Sequence, residues 1–125
     1  MKKDLTTQKD IEQLVDLFYT KVKVDQVIGR FFTEVMQVDW EKHIPTMYDF
    51  WSNVLFYSGN YTGNPMQQHI AIHSKAPFTV TDFTQWNLIF TSSVDELFAG
   101  ENAETLKQRA QNISTIMQVK LFQKK

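Results

Sequence analysis

At 125 residues the chain is long enough for one compact domain (1–125) and too short for two. Its 13 basic and 14 acidic side chains nearly balance, leaving no positive stripe to neutralise phosphates, so nucleic acid is not an expected partner. No cysteine is present, no long apolar run follows Met1-Lys2-Lys3-Asp4, and no stretch reaches the ~18 apolar residues of a membrane span; the expectation is a soluble cytoplasmic protein without disulfides or membrane.

From Gln8 to Lys23 the apolar residues Ile11, Leu14, Val15, Phe18 and Val22 fall at helical spacing, and Tyr19, four residues after Val15, shares their face. Thr6 or Thr7 can cap this helix. Asp25 and Gly29 mark a break, and Val27 to Phe32 predicts a short helical turn that brings Phe32 near the core. Asp39 is the expected N-cap of a second helix, whose stripe is His43, Met47, Phe50, Trp51, Val54 and Leu55. Pro45 requires either that the regular helix begins there or that it begins at Trp40 and kinks. The helix is expected to end by Ser58-Gly59, followed by the turn-rich linker Gly59-Asn60-Tyr61-Thr62-Gly63-Asn64-Pro65.

Met66 to Ile72 predicts a short helix with Pro65 in its first turn, broken again at Lys75-Ala76-Pro77. Phe78 to Thr81 alternates as a strand would, but Thr79 or Thr81 serves equally as the cap of the next helix. That helix carries Phe83, Trp86, Phe90, Val94 and Leu97 and stops near Gly100. The last one carries Ala103, Leu106, Ala110, Ile113, Met117 and Leu121, and ends in a basic tail that suits the negative end of a helix dipole. The fold class is all-α, with four substantial helices and two short ones.

Chemistry concentrates in one place. Two of the chain's three histidines, His43 and His69, flank an aromatic block that runs from Phe50-Trp51 to Tyr57 and Tyr61, with Phe18-Tyr19, Phe31-Phe32 and Trp86 nearby in the pattern. Ten Phe, four Tyr and three Trp are compatible with a plain Phe-rich core or with a pocket for a large planar ligand. Neutral imidazole is a good iron ligand, and an aromatic-lined slot suits the apolar faces of a porphyrin. Taken alone, His69 reads as a surface or helix-end histidine, His43 as a half-buried histidine paired with Asp39 or backbone, and Tyr19 as a core tyrosine. His69 and His73, one turn apart, share a helix face and could hold a zinc ion, but no nearby cysteine or carboxylate completes that site.

The order of Leu17-Phe18-Tyr19, Ile28-Gly29-Arg30-Phe31-Phe32, His43, Phe50-Trp51, the Gly59 to Pro65 linker, His69, and Trp86 within Phe83 to Phe90 resembles a group III truncated haemoglobin over almost the whole chain. The resemblance implies a shortened globin fold, a two-over-two helical sandwich around haem b (iron protoporphyrin IX). It implies His69 as the proximal iron ligand and reverses the isolated reading of that residue. Tyr19, His43, Met47 and Trp86 become the distal wall. Phe32, Phe50, Trp51 and Met66 become cofactor contacts, and His73, Lys75 or Arg30 lies near a propionate. The stretch between His69 and the Phe83 helix is longer than the family pattern, and Pro45 beside the distal histidine departs from it.

Three functions are compatible with these residues. The first is tight, slowly released oxygen binding at a five-coordinate iron, since Tyr19 and Trp86 would both donate to a partly negative diatomic ligand. The second is haem-based redox chemistry on nitric oxide or peroxide, fed by an unidentified electron donor, with His43 as proton acceptor. The third is a haem-free helical scaffold whose aromatics are only core.

Overall fold

The apolar stripes define the helices, and the computed structural model shows them for residues 2–36, 38–58, 61 and 63–122. The order is α1 (Gln8–Lys23), a π turn (Phe31–Val35), α2 (Trp40–Phe56), α3 (Pro65–Lys75), α4 (Val80–Leu97) and α5 (Glu101–Leu121), with no strand among the described residues. Gly59, Asn60, Thr62 and the end of the basic tail lie outside them.

In α1 the whole expected face is buried: Ile11, Leu14, Val15, Phe18, Tyr19 and Val22. Thr7 is the cap. Its hydroxyl accepts from the Asp10 amide, and the Asp10 carboxylate accepts from the Thr7 amide, so two otherwise orphaned donors are satisfied reciprocally. Beyond α1 the Asp25 carboxylate accepts the Val27 and Ile28 amides. A Cβ at Gly29 would lie 2.9 Å from the Val22 carbonyl, so this close approach needs glycine. The short helical turn expected over Val27–Phe32 is displaced. A π turn forms at Phe31–Val35, closed by the Met36 amide on the Phe31 carbonyl at 2.9 Å. Such wide turns recur at functional sites. Here Phe31 enters the core, while Phe32 stays half-buried.

Helix α2 begins at Trp40 and retains Pro45 inside it, which resolves the alternative left open by the sequence. Asp39 has the extended backbone of an N-cap, but its side chain makes no capping bond. At the other end Tyr57 takes the left-handed conformation, and Arg109 of α5 donates to the Val54 carbonyl at 2.6 Å and to the Tyr57 hydroxyl at 3.0 Å. Helix α3 is capped by Asn64, starts on Pro65 and runs past the expected Ile72 to Lys75. Thr79 caps α4 through a second capping box with Asp82, so the Phe78–Thr81 alternation is a helix start.

The helices form two pairs, α1 with α2 and α4 with α5; α1 also meets α4, and α2 and α3 meet α5. The N-terminal segment, which carries no periodicity, latches onto the α4–α5 corner. Leu5 is fully buried, and the Asp4 carboxylate accepts the Asn102 and Ala103 amides at 2.9 Å each. It therefore caps α5 from a distance, because the N-cap residue Gly100 has no side chain to do so. Gly100 sits at φ 146, and a Cβ there would lie 2.4 Å from the Asp4 side chain. Asp4→Ala is expected to lower stability by roughly 1–2 kcal/mol, as loss of a cap does. Gly100→Ala adds backbone strain of about 1–3 kcal/mol to the same contact. Urea midpoints of the two variants check this; wild-type midpoints would mean that the latch contributes nothing.

Candidate functional site

Between the helix pairs lies a cavity of about 620 Å³, within the size range of cofactor pockets. It explains why α2 and α3 bury less than their patterns suggest. His43, Met47 and Phe50 on α2, and His69 and Ile72 on α3, are only half-buried because they line open space, and α3 buries no residue at all.

Of the predicted site residues, Tyr19, Phe32, His43, Met47, Phe50, Trp51, His69 and Trp86 line this cavity together. Met66, His73 and Lys75 are not among its lining residues. Exposed Asp39, Lys42, Thr46 and Gln68 mark its mouth.

His69 projects from the first turns of α3. Its Nδ1 lies 2.7 Å from the Pro65 carbonyl. A carbonyl has no proton to give, so Nδ1–H donates and Nε2 carries the lone pair. Burial holds the imidazole below its ordinary pKa, against the opposing effect of the Pro65 bond. The ring is therefore neutral at neutral pH, oriented by backbone, with one nitrogen left for a ligand.

Tyr19 and His43 form the polar part of another wall. The Tyr19 hydroxyl lies 3.1 Å from His43 Nε2. Tyr19 is buried, which pushes its phenol pKa far up and keeps it a donor. Its ring packs edge-on against His43, Trp40 and Phe32. Trp86 stacks on Phe90 and on Trp51, which also touch each other, and meets Phe18 at a ring edge; its indole N–H has no acceptor among the described residues.

The sequence matches the bacterial-like globin family over residues 3–120. The chain belongs to that family. A group 3 truncated haemoglobin of Campylobacter jejuni is 29% identical over 125 residues, covering 98% of this chain and 96% of the relative. The crystal structure of a group III truncated haemoglobin from Campylobacter jejuni superposes with a TM-score of 0.84 at 30% identity, covering 97% of this chain and 95% of that one. The fold is thus a truncated globin fold, and membership of the family implies haem as cofactor. The donor set fits that group: a neutral, backbone-anchored imidazole faces an apolar, aromatic-walled cavity whose polar groups are few and whose mouth is charged.

Other candidate residues in this globin are engaged elsewhere. Arg30 makes a two-pronged ion pair with Asp82 at 3.1 Å, donates to the Val27 carbonyl and lies over the Phe31 ring. His73 does not turn toward His69 as a metal pair would. Its Nδ1 accepts the Phe78 amide at 2.9 Å and its ring stacks on Phe78. Among the described residues no group of three or more His, Asp or Glu is placed to hold a metal ion. Trp40, which sequence reasoning did not single out, packs behind the cavity wall: it stacks on Phe32, and Lys23 Nζ lies 4.2 Å from the centroid of its ring. Its only signal was an aromatic beside an expected helix cap. Lys42, Thr46 and Gln68 carried none, since polar residues at a cavity mouth read like any solvated face.

Burial also holds His43 below its ordinary value of 6.5. The unfolded chain therefore takes up this proton before the folded one does. The stability linked to His43 is intact above about pH 6.5 and is lost as pH falls through the folded pKa. The haem-free globin is expected to lose more stability between about pH 7 and 5 than its His43→Gln variant. Parallel urea midpoints across that range would remove His43 as the cause.

Proposed function

We propose that this globin holds haem b through His69 Nε2 and binds oxygen tightly, with Tyr19, His43 and Trp86 as the polar wall facing the ligand. The observation that carries the reading is the 2.7 Å bond from His69 Nδ1 to the Pro65 carbonyl. It fixes both the tautomer and the ring direction, which is what an iron-binding imidazole requires of its surroundings. When bound, haem supplies an iron site that takes a diatomic ligand.

The chain's own residues then decide how long that ligand stays. Tyr19 is held as a donor by burial, and Trp86 can only donate. Phe32, Met47, Phe50 and Trp51 exclude water and enclose the planar group. Arg30 is already paired with Asp82, and His73 Nδ1 is already taken by the Phe78 amide. Lys75, beside a smaller hollow with Met36 and Ile72, therefore remains the candidate among these three for a propionate. No helix of the described residues is long and apolar enough to cross a membrane, which accords with a cytoplasmic role.

The test is the absorption spectrum of the purified protein. A sharp Soret band that survives dialysis supports the reading, and a colourless protein that takes up no added haemin overturns it.

One observation favours a second reading, haem-dependent chemistry on peroxide or nitric oxide with an external electron donor. His43 is neutral near pH 7 and within hydrogen-bond reach of Tyr19, so it is able to accept a proton at Nε2. Stopped-flow mixing of the ferric protein with peroxide decides it. Rapid peroxide consumption that falls at least about tenfold in His43→Leu is the expected signature, and equal rates would dismiss His43 as the acceptor.

A further inference from the structure

Trp86 projects into the cavity from α4, and the next residue, Asn87, turns toward α5. Asn87 Nδ2 donates to Ser114 Oγ at 3.2 Å, and Gln118 Nε2 donates to the same oxygen at 3.3 Å. Ser114 is 2% exposed and forms part of the cavity wall. A hydroxyl has two acceptor sites, and both are taken by these amides. The other end of the Asn87 amide, Oδ1, is buried with no hydrogen-bond partner. A buried unpaired carbonyl lowers stability, and an apolar side chain of the same size would avoid that loss. Asn87 is therefore a poor choice for stability alone, and the bond it does make requires another explanation.

That bond ties α4 to α5 one residue beyond Trp86. Trp86 stacks on Phe90 of its own helix and on Trp51 of α2, flat faces that resist sliding only weakly, and meets Phe18 of α1 at a ring edge, a contact with no directional bond to the indole N–H. Rotation of α4 about its axis by about 10° would move a side-chain atom about 6 Å from the axis by about 1 Å. Displacements of that size spoil a hydrogen bond to a small ligand. We propose that Asn87, clasped to Ser114, is a positioning residue that fixes the direction of the Trp86 indole N–H. The inference rests on the reading of Trp86 as a donor to the diatomic ligand.

The test compares haem-loaded wild type with Asn87→Leu, Ser114→Ala, the double variant and Trp86→Phe. The readouts are the oxygen dissociation rate, the infrared stretching frequency of added carbon monoxide and the thermal midpoint. Asn87→Leu is expected to keep or raise the midpoint while speeding dissociation about threefold or more and moving the carbon monoxide frequency toward that of Trp86→Phe. Ser114→Ala should move both ligand readouts the same way, and the double variant no further than the stronger single one, because each single change already removes the shared Asn87–Ser114 bond. Asn87→Leu with wild-type ligand readouts, while Trp86→Phe departs from wild type, overturns the positioning role and leaves the donor reading intact. A Trp86→Phe variant that matches wild type overturns both. Should Asn87→Leu fold poorly, Ser114→Ala decides on the same readouts.

Discussion

His69→Ala is expected to abolish stable haem retention. Loss of an outer residue that merely orients a metal ligand costs roughly 10–100-fold in affinity, and loss of the ligand itself should exceed about a hundredfold. The fold should survive the change. Helix α3 buries none of its residues, so His69 contributes to the cavity wall and not to the hydrophobic core. Loss of the Soret band after gel filtration, with an unchanged far-ultraviolet circular dichroism spectrum, is the expected result. His69→Gly should regain the band when free imidazole is added, since the space and the Nε2 position remain. Full retention of haem by His69→Ala would place the iron ligand elsewhere and remove the basis of the oxygen-binding reading.

Tyr19→Phe is expected to speed oxygen dissociation from the haem-loaded globin by about ten- to a hundredfold. The estimate follows from a hydrogen bond to a charged acceptor, worth roughly 1.5–3 kcal/mol, at about 1.4 kcal/mol for each tenfold in rate. The substitution leaves the ring, and with it the edge-on packing against Phe18, Trp40 and Phe32, in place. The phenol lies 3.1 Å from His43 Nε2, and where it donates to that nitrogen His43 competes with a ligand for the same proton. His43→Leu should therefore slow dissociation, opposite in sign to Tyr19→Phe. Flash photolysis or stopped-flow exchange measures both. An unaltered rate in Tyr19→Phe would remove the phenol from the ligand's surroundings.

Much of this architecture was legible in the residues because it is local. The spacing of Ile11, Leu14, Phe18 and Val22 marked α1, and Thr6 or Thr7, Pro65, and Thr79 or Thr81 marked helix starts; the structure chose Thr7 and Thr79 and added Asn64 as the cap before Pro65, each through a bond spanning three residues. The π turn was not legible, since the apolar pattern at Phe31-Phe32 serves an ordinary turn equally well. Nor was the docking of Leu5 and Asp4, which bind a helix start almost a hundred residues away. The aromatic block and its flanking imidazoles pointed to the cavity, but spacing alone could not separate wall from core. Trp51 is buried and Phe50 half-buried, yet both line it.

The sequence by itself therefore determined the helices, their inward faces and the residue types that a haem pocket needs. Only the tertiary structure decided which partners these groups take. It turned the Tyr19 hydroxyl to His43, Arg30 to Asp82 and His73 to the Phe78 amide, leaving His69 with a backbone-held ring and an available nitrogen. The physical reason is one of range. Helix formation is governed by neighbours within one turn, whereas a hydrogen bond between elements exists only once packing has brought two distant side chains within about 3 Å.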